Sequence, residues 1–126
     1  MSCFSRVTTK MTDLATVRKA LEALGHRVRE RATEARGWSG NSARADLVVA
    51  TATDYDIGLV RSADGTLEAV ADWGMTGVAQ DAFVAALSQK YSYLWVTETA
   101  RRKGFTVAEE RVDDQGTVRL LLRRFT

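Results

Sequence analysis

The chain of 126 residues has no proline, one cysteine and one histidine. A single cysteine, Cys3, excludes a disulfide within the chain and offers no thiolate cluster for a metal. A single histidine, His26, leaves no His-Glu helix motif for zinc. Because proline is absent, every turn has to be made by Gly, Asp, Asn or Ser.

Long apolar runs are absent too. The first ten residues lack the apolar core of a signal peptide, and no segment is long enough to span a bilayer. Together with the single cysteine, this predicts a soluble protein of the reducing cytoplasm.

Neither charge sign dominates the chain. Its 18 basic residues are offset by 16 acidic ones, which leaves a net charge of +2. That balance argues against a nucleic-acid binder driven by electrostatics, although a local basic patch remains an alternative.

The composition is typical of a globular domain. Hydrophobic residues make up 45% and charged residues 27% of the chain, which argues against wholesale disorder. A chain of this length buries roughly two-thirds of its unfolded surface, enough for its own core. We therefore predict one domain over residues 1–126.

The first part of the chain predicts a strand, a helix and a second strand. Residues 3–10 alternate loosely between apolar and polar, which favours a strand. Asp13 is a candidate N-cap for an amphipathic helix that ends at Gly25. Apolar residues recur in this helix at steps of three and four: Leu14, Val17, Leu21 and Leu24.

Residues 26–36 (HRVRERATEAR) predict a short edge strand, because Val28 is their only large apolar residue. Their basic side chains have two interpretations. They form a phosphate-facing surface, or they belong to a solvated edge interleaved with Glu30 and Glu34. The charge balance favours the solvated edge.

The next stretch, Arg36-Gly37-Trp38-Ser39-Gly40-Asn41, predicts a flexible loop that carries one large amphipathic ring. Two interpretations are open. In the first, Gly37 and Gly40 let a ligand or partner approach the backbone, with Arg36 as an anion contact. In the second, Trp38 folds back as a lid over the core. The spacing is not that of a phosphate loop, which argues against a nucleotide site.

Three further strands are predicted at Ala45–Ala50, Tyr55–Arg61 and Thr66–Trp73, and the dipeptide Asp64-Gly65 joins the last two in a hairpin.

A long helix is then predicted from Gln80–Asp81 to the basic turn before Gly104. Its apolar stripe, which we expect to cover the sheet, consists of Phe83, Leu87, Tyr91, Leu94 and Trp95. The triplet Tyr91-Ser92-Tyr93 interrupts the strong helix formers, so a helix that kinks or breaks there is an alternative to a continuous one.

Two strand carboxylates, Asp56 and Asp72, lie beside the aromatic residues Tyr55 and Trp73. An acid inside a strand needs either solvent or a partner. If both carboxylates lie on the same face of the paired strands, they form an acid pair or a divalent-cation site. The alternative places both on the solvent face of the sheet. No other residue completes a metal set, so we predict no metal.

The chain closes with a second predicted hairpin, from Phe105–Val112 to Thr117–Phe125. Its basic residues Arg119 and Arg123 either complement an acidic partner or are simply solvated.

The sequence has no serine elbow, Walker loop or dinucleotide fingerprint, so we predict no catalytic residue and no cofactor, and we favour a binding module over an enzyme.

An ordered set of short motifs gives the chain a family resemblance. The motifs are Ser2-x-Phe4-Ser5, Arg36-Gly37-Trp38-x-Gly40, Ala45-Asp46-Leu47-Val48, Tyr55-Asp56-Ile57-Gly58, Ala71-Asp72, Lys90-Tyr91-x-Tyr93, Gly104-Phe105-x-Val107-Ala108-Glu109 and Arg119-Leu120-x-Leu122-x-Arg124. Together they resemble domain-of-unknown-function family 1257, which includes a hypothetical reading frame of cyanobacteria and algal plastids. Such proteins typically have Tyr where this chain has Trp38.

The resemblance implies no reaction and no catalytic residue. Because genes of the family often lie beside those of AAA+ ATPases, small companion proteins or ferredoxins, it implies an accessory subunit of an ATP-driven or redox-linked assembly. Our leading expectation is a non-enzymatic adaptor for a protein partner, such as an AAA+ ATPase in a multi-component bacterial system. The alternatives are a small-ligand or metal-dependent enzyme that uses the strand aspartates, and a nucleic-acid-binding module.

The predicted elements give an α+β fold. We expect a mainly antiparallel sheet with two principal helices packed on one face, in the order β-α-β-β-β-β-α-β-β.

Overall fold

The computed structural model describes residues 4–124, so Cys3 and Phe125, which fall in predicted strands, lie outside the described residues. The elements in chain order are β1 (Ser5–Thr8), α1 (Leu14–Ala23), β2 (Arg27–Val28), β3 (Glu34–Arg36), β4 (Ser42–Arg44), β5 (Leu47–Ala50), β6 (Asp56–Arg61), β7 (Leu67–Ala71), α2 (Trp73–Thr76), α3 (Gln80–Arg102), β8 (Phe105–Val112) and β9 (Val118–Arg124). The predicted α+β class is confirmed.

Five strands form an antiparallel sheet in the order β1-β7-β6-β5-β2. At its centre, β6 and β7 pair through the predicted Asp64-Gly65 hairpin, with Ile57 opposite Ala71 and Arg61 opposite Leu67. Gly65 has a φ of 88°, which a residue without a side chain adopts readily. The turn chemistry therefore determines the register of the central pair.

Helices α1 and α3 cover one face of the sheet, as predicted. The helical residues at the centre of this core are Val17, Leu21, Phe83, Leu87 and Tyr91, and the strands contribute Leu47, Val49, Ile57, Leu59, Leu67 and Ala69. Helix α1 begins where the Asp13 carboxylate accepts the backbone N–H of Thr16 at 3.0 Å. Helix α3 is continuous through Tyr91-Ser92-Tyr93, so the triplet does not break it.

Trp95 departs from the predicted core stripe. Its side chain stacks on Tyr91, with ring centroids 6.2 Å apart, and is 45% exposed. Trp95 follows Tyr91 by one helical turn, and its ring lies against Tyr91 and is not part of the buried core.

The opposite face of the sheet is covered by a small hairpin of β3 and β4, which the sequence did not predict. Residues 26–36 do not form one edge strand: β2 extends the main sheet, while β3 leaves it and pairs with β4. Strands of three residues carry too little alternation to be recognised in a sequence. The side chain of Ala43 packs against the cluster of Val48, Val60 and Val70, and that of Ala35 is fully buried.

Gly58 in β6 explains how closely this hairpin approaches. A Cβ atom at Gly58 would lie 2.8 Å from the Cβ of Ala45 and 3.3 Å from that of Ala35. These separations are shorter than carbon–carbon contact distances, so only glycine lets the hairpin lie flat on the sheet.

The predicted strand Thr66–Trp73 ends early. Strand β7 stops at Ala71, Asp72 follows it, and Trp73 begins the short helix α2. Gly77 takes a φ of 71° and ends this helical turn.

Strands β8 and β9 form a separate two-stranded ribbon beside α3, with a bulge between Val107 and Glu109. Gln89 of α3 donates to the carbonyl of Gly116 at its turn. Most of the side chains of this β8–β9 ribbon are exposed. Within residues 4–124, no helix has the length and apolar character to cross a membrane.

Candidate functional site

Asp56, the first residue of β6, has no exposed surface. Arg36 donates three hydrogen bonds to its carboxylate: from the backbone N at 2.9 Å, from Nε at 2.8 Å and from Nη2 at 3.0 Å. Arg29 adds a fourth from Nη1 at 2.9 Å. A buried carboxylate is tolerated only with such partners. Asp56 thus anchors β3 to the sheet.

The electrostatics of Asp56 follow from these contacts. Burial alone would raise the pKa of its carboxyl, but the hydrogen bonds from the side chain and backbone of Arg36 and the charges of both arginines outweigh burial. The pKa therefore lies below the ordinary value of 3.8. The same contact raises the pKa of Arg36. Asp56 is consequently a fixed anion at neutral pH.

Asp72 is the second buried acid, and it holds the backbone two residues after Arg36. Because Ile57 pairs with Ala71, Asp56 and Asp72 come at one end of neighbouring strands and on the same face of the sheet. The carboxylate of Asp72 accepts the backbone N–H of Trp38 at 3.2 Å. The two predicted strand aspartates are therefore brought together, and neither lies on a solvent face.

The loop between β3 and β4 is a tight turn, which we call the Trp38 turn (Arg36–Asn41). Gly37 N–H donates to the carbonyl of Asn41 at 2.7 Å, and Asn41 N–H donates to that of Trp38 at 3.1 Å. Ser39 and Gly40 both have positive φ, at 57° and 78°. The predicted flexible loop is thus a hydrogen-bonded turn tied to two buried acids.

Because Gly37 has no side chain, the ring of Phe4 packs directly against the Trp38 turn. A Cβ at this position would lie 2.4 Å from Cζ of Phe4, so any larger residue would displace the ring. Trp38, in contrast, is 47% exposed and does not close over the core as a lid. A large amphipathic side chain is therefore displayed on a fixed backbone.

This arrangement displays a side chain on a backbone that hydrogen bonds hold in place. Asp56 is fully engaged by two arginines, and Asp72 by a backbone amide. Among residues 4–124, no three His, Cys, Asp or Glu side chains lie close enough to hold a metal ion together. What the geometry offers is an exposed indole beside a partly exposed guanidinium, that of Arg36.

Four other residues singled out in the sequence lie elsewhere. Tyr55 precedes β6, and its carbonyl accepts the hydroxyl of Thr51 at 2.6 Å. Trp73 packs against Phe83 on the helix-covered face, and its Nε1 donates to the carbonyl of Ser5 at 3.2 Å. Arg119 and Arg123 are exposed on the β8–β9 ribbon, away from this sheet.

The role of Arg29 is not apparent from the sequence. We expected the basic residues of 26–36 to be solvated or to face phosphate, whereas Arg29 and Arg36 neutralise Asp56. In the same stretch, Glu30 pairs with Arg18 of α1 at 2.7 Å. One signal was available: a buried strand acid requires a cationic partner, and this stretch is rich in arginine.

A family model described as "Protein of unknown function (DUF1257)" matches residues 20–121. The chain belongs to this family. The match spans the Trp38 turn, both buried aspartates and the β8–β9 ribbon up to Leu121, so the whole candidate site lies within the family region.

Curated relatives cover almost the whole chain. An uncharacterized protein ycf35 of Cyanophora paradoxa is 25% identical over 126 residues, which cover 99% of this chain and 98% of the relative. Proteins with the same description from Guillardia theta and Pyropia yezoensis are 26% and 24% identical, with the same shares covered. No solved structure matches the chain.

Proposed function

We propose that this protein is a non-enzymatic adaptor that docks on a partner protein through the Trp38 turn. The observation that carries the proposal is an exposed tryptophan on a backbone fixed by two buried carboxylates. Neither the aspartate-based enzyme nor the nucleic-acid-binding module has a comparable observation in its favour.

The Trp38 turn is ordered before a partner binds, which lowers the entropic cost of binding. A flexible loop loses conformational entropy when a partner immobilises it, whereas the backbone of Trp38 is already held by Asp72 and Asn41. Tryptophan and arginine are the residues most enriched among those that dominate binding energy. A pre-ordered pair of Trp38 and Arg36 is therefore well suited to anchor a partner.

The partner class rests on the family resemblance. An AAA+ ATPase or one of the small companion proteins encoded near family members is the first candidate. The half-exposed guanidinium of Arg36 favours a partner with an acidic or carbonyl group beside the pocket that receives the indole.

The experiment compares two tryptophans of nearly equal exposure. Trp38 is 47% and Trp95 is 45% exposed, so Trp95→Ala is a matched control for Trp38→Ala. Purified AAA+ ATPases and companion proteins of the same organism are titrated with the three chains by calorimetry. We expect Trp38→Ala to weaken binding by about 2 kcal/mol, roughly 30-fold, and Trp95→Ala to leave it unchanged.

Circular dichroism should show that both variants keep the wild-type fold, because both rings are half exposed. The proposal is wrong if a partner binds wild type and Trp38→Ala equally, or if Trp95→Ala causes the same loss.

A further inference from the structure

The β8–β9 ribbon has a face that points away from α3. In the register of the ribbon, Arg111 lies opposite Arg119 and Glu109 lies opposite Leu121. Residues two apart on a strand share a face, so Arg123 joins this group. Val118 and Leu120 alternate with them and line a cleft of about 670 Å³ between the ribbon and α3. We call the group Glu109, Arg111, Arg119, Leu121 and Arg123 the outward face.

The outward face carries an excess of positive charge. It contains three arginines and one glutamate, and two of the arginines are direct cross-strand partners. Like charges directly opposite each other destabilise a sheet. The internal acids compensate only in part: Arg111 pairs with Glu109 at 2.7 Å, while Arg119 lies 4.0 Å from Asp113. An external carboxylate between Arg111 and Arg119 would relieve their repulsion.

The centre of this face is apolar. Leu121 is 51% exposed between Arg119 and Arg123. Burying a leucine against another apolar side chain is favourable, and a two-stranded ribbon by itself is only marginally stable in water. Both properties suit a surface that becomes covered when a partner binds.

We propose that the outward face binds an acidic segment of a partner protein. One carboxylate of the segment bridges Arg111 and Arg119, a neighbouring apolar side chain packs on Leu121, and a second carboxylate contacts Arg123. The acidic, apolar and acidic residues of such a segment lie two positions apart when it is extended, because Arg119, Leu121 and Arg123 lie two positions apart along β9.

The apolar centre favours a protein over a nucleic acid. The arginines attract carboxylates and phosphates alike, but a phosphate backbone has no apolar side chain to bury Leu121. The outward face also belongs to a different sheet from the Trp38 turn, so it does not depend on the function proposed for that turn.

The test uses a synthetic peptide with a Glu-Ser-Leu-Ser-Glu centre, a matched Lys-Ser-Leu-Ser-Lys peptide and a single-stranded DNA oligonucleotide. Each is titrated into the full chain and followed by fluorescence anisotropy and by amide chemical shifts. We expect the acidic peptide to bind, to weaken as salt is raised, and to shift the amides of Arg111, Arg119 and Leu121. The Lys-Ser-Leu-Ser-Lys peptide should not bind.

Charge reversal locates the site. Arg119→Glu should weaken binding of the acidic peptide by about tenfold or more, whereas Arg27→Glu, the same change at an exposed position of β2, should leave it unaltered. Leu121→Ser should weaken binding several-fold without changing its salt dependence. Trp38→Ala should have no effect, which separates this site from the Trp38 turn.

Three outcomes would overturn the inference. They are no binding of the acidic peptide, equal losses in Arg119→Glu and Arg27→Glu, and tighter binding of the oligonucleotide that Arg119→Glu abolishes. The last outcome would make the ribbon a nucleic-acid interface instead.

Discussion

Arg36 donates three hydrogen bonds to the buried carboxylate of Asp56, one from its backbone and two from its guanidinium. The contact joins residues 20 positions apart and holds the β3–β4 hairpin on the sheet. It fixes the backbone immediately before Trp38. The stability of the fold and the display of the indole therefore depend on the same ion pair.

Asp56→Asn should destabilise the fold strongly. The amide keeps the shape of the side chain but leaves Arg29 and Arg36 without their anion and places a donor among donors. Because both guanidinium groups reach solvent, we expect a loss of about 2–4 kcal/mol in the free energy of unfolding, measured with urea. Asp54→Asn, an exposed acid two positions earlier, is the control and should change it by less than about 0.5 kcal/mol. Equal losses would contradict the role of Asp56.

The stabilisation by Asp56 should be lost in acid. Its folded pKa is lowered, so its contribution is fully present above the ordinary value of 3.8 and disappears as the pH falls through the lower folded value. The difference in unfolding free energy between wild type and Asp56→Asn should therefore be constant from neutral pH down to about pH 5 and shrink below pH 4. Taking this difference cancels the contributions of other acids with lowered pKa, such as Asp13. A difference that grows on acidification would contradict the lowered pKa of Asp56.

Gly58→Ala should push the β3–β4 hairpin off the sheet. The added methyl group would meet Ala45 at 2.8 Å and Val70 at 3.1 Å, and we expect a loss of about 1–3 kcal/mol. Gly74→Ala is the matched control, since no atom lies within 4 Å of its added methyl group, and it should be neutral or slightly stabilising. Thermal unfolding of the two variants gives the comparison. If Gly58→Ala were as stable as Gly74→Ala, the close packing described here would be incorrect.

Tyr91→Phe should weaken the junction between α3 and the start of α1. The Tyr91 hydroxyl oxygen accepts the backbone N–H groups of Thr12 at 3.2 Å and Asp13 at 3.1 Å. Removing it leaves both donors without this partner, at an expected cost of about 1–3 kcal/mol. Tyr93→Phe removes a hydroxyl with only an exposed contact to Glu110 at 3.4 Å and should cost less than about 0.5 kcal/mol. Urea unfolding distinguishes the two, and similar losses would argue against a special role for Tyr91.

The sequence determined the elements that have strong local signals. The apolar spacing after Asp13 and the stop at Gly25 predicted α1, and Asp64-Gly65 predicted the central hairpin. The glycine-flanked loop marked Arg36 and Trp38 as candidates, and the acids inside predicted strands marked Asp56 and Asp72. These signals are local, because helix periodicity and turn chemistry act over a few neighbouring residues.

Only the tertiary structure decided which of these residues meet. Strands β3 and β4 have three residues each and no periodic pattern, so nothing local indicated that they cover the second face. Whether Asp56 is solvated or buried depends on that hairpin, and so does the choice of Arg29 and Arg36 as its partners. Similarly, the stripe on α3 did not reveal that Trp95 is half exposed. Burial and ion pairing are determined by packing between distant segments, and a single sequence does not encode this packing in its local periodicity.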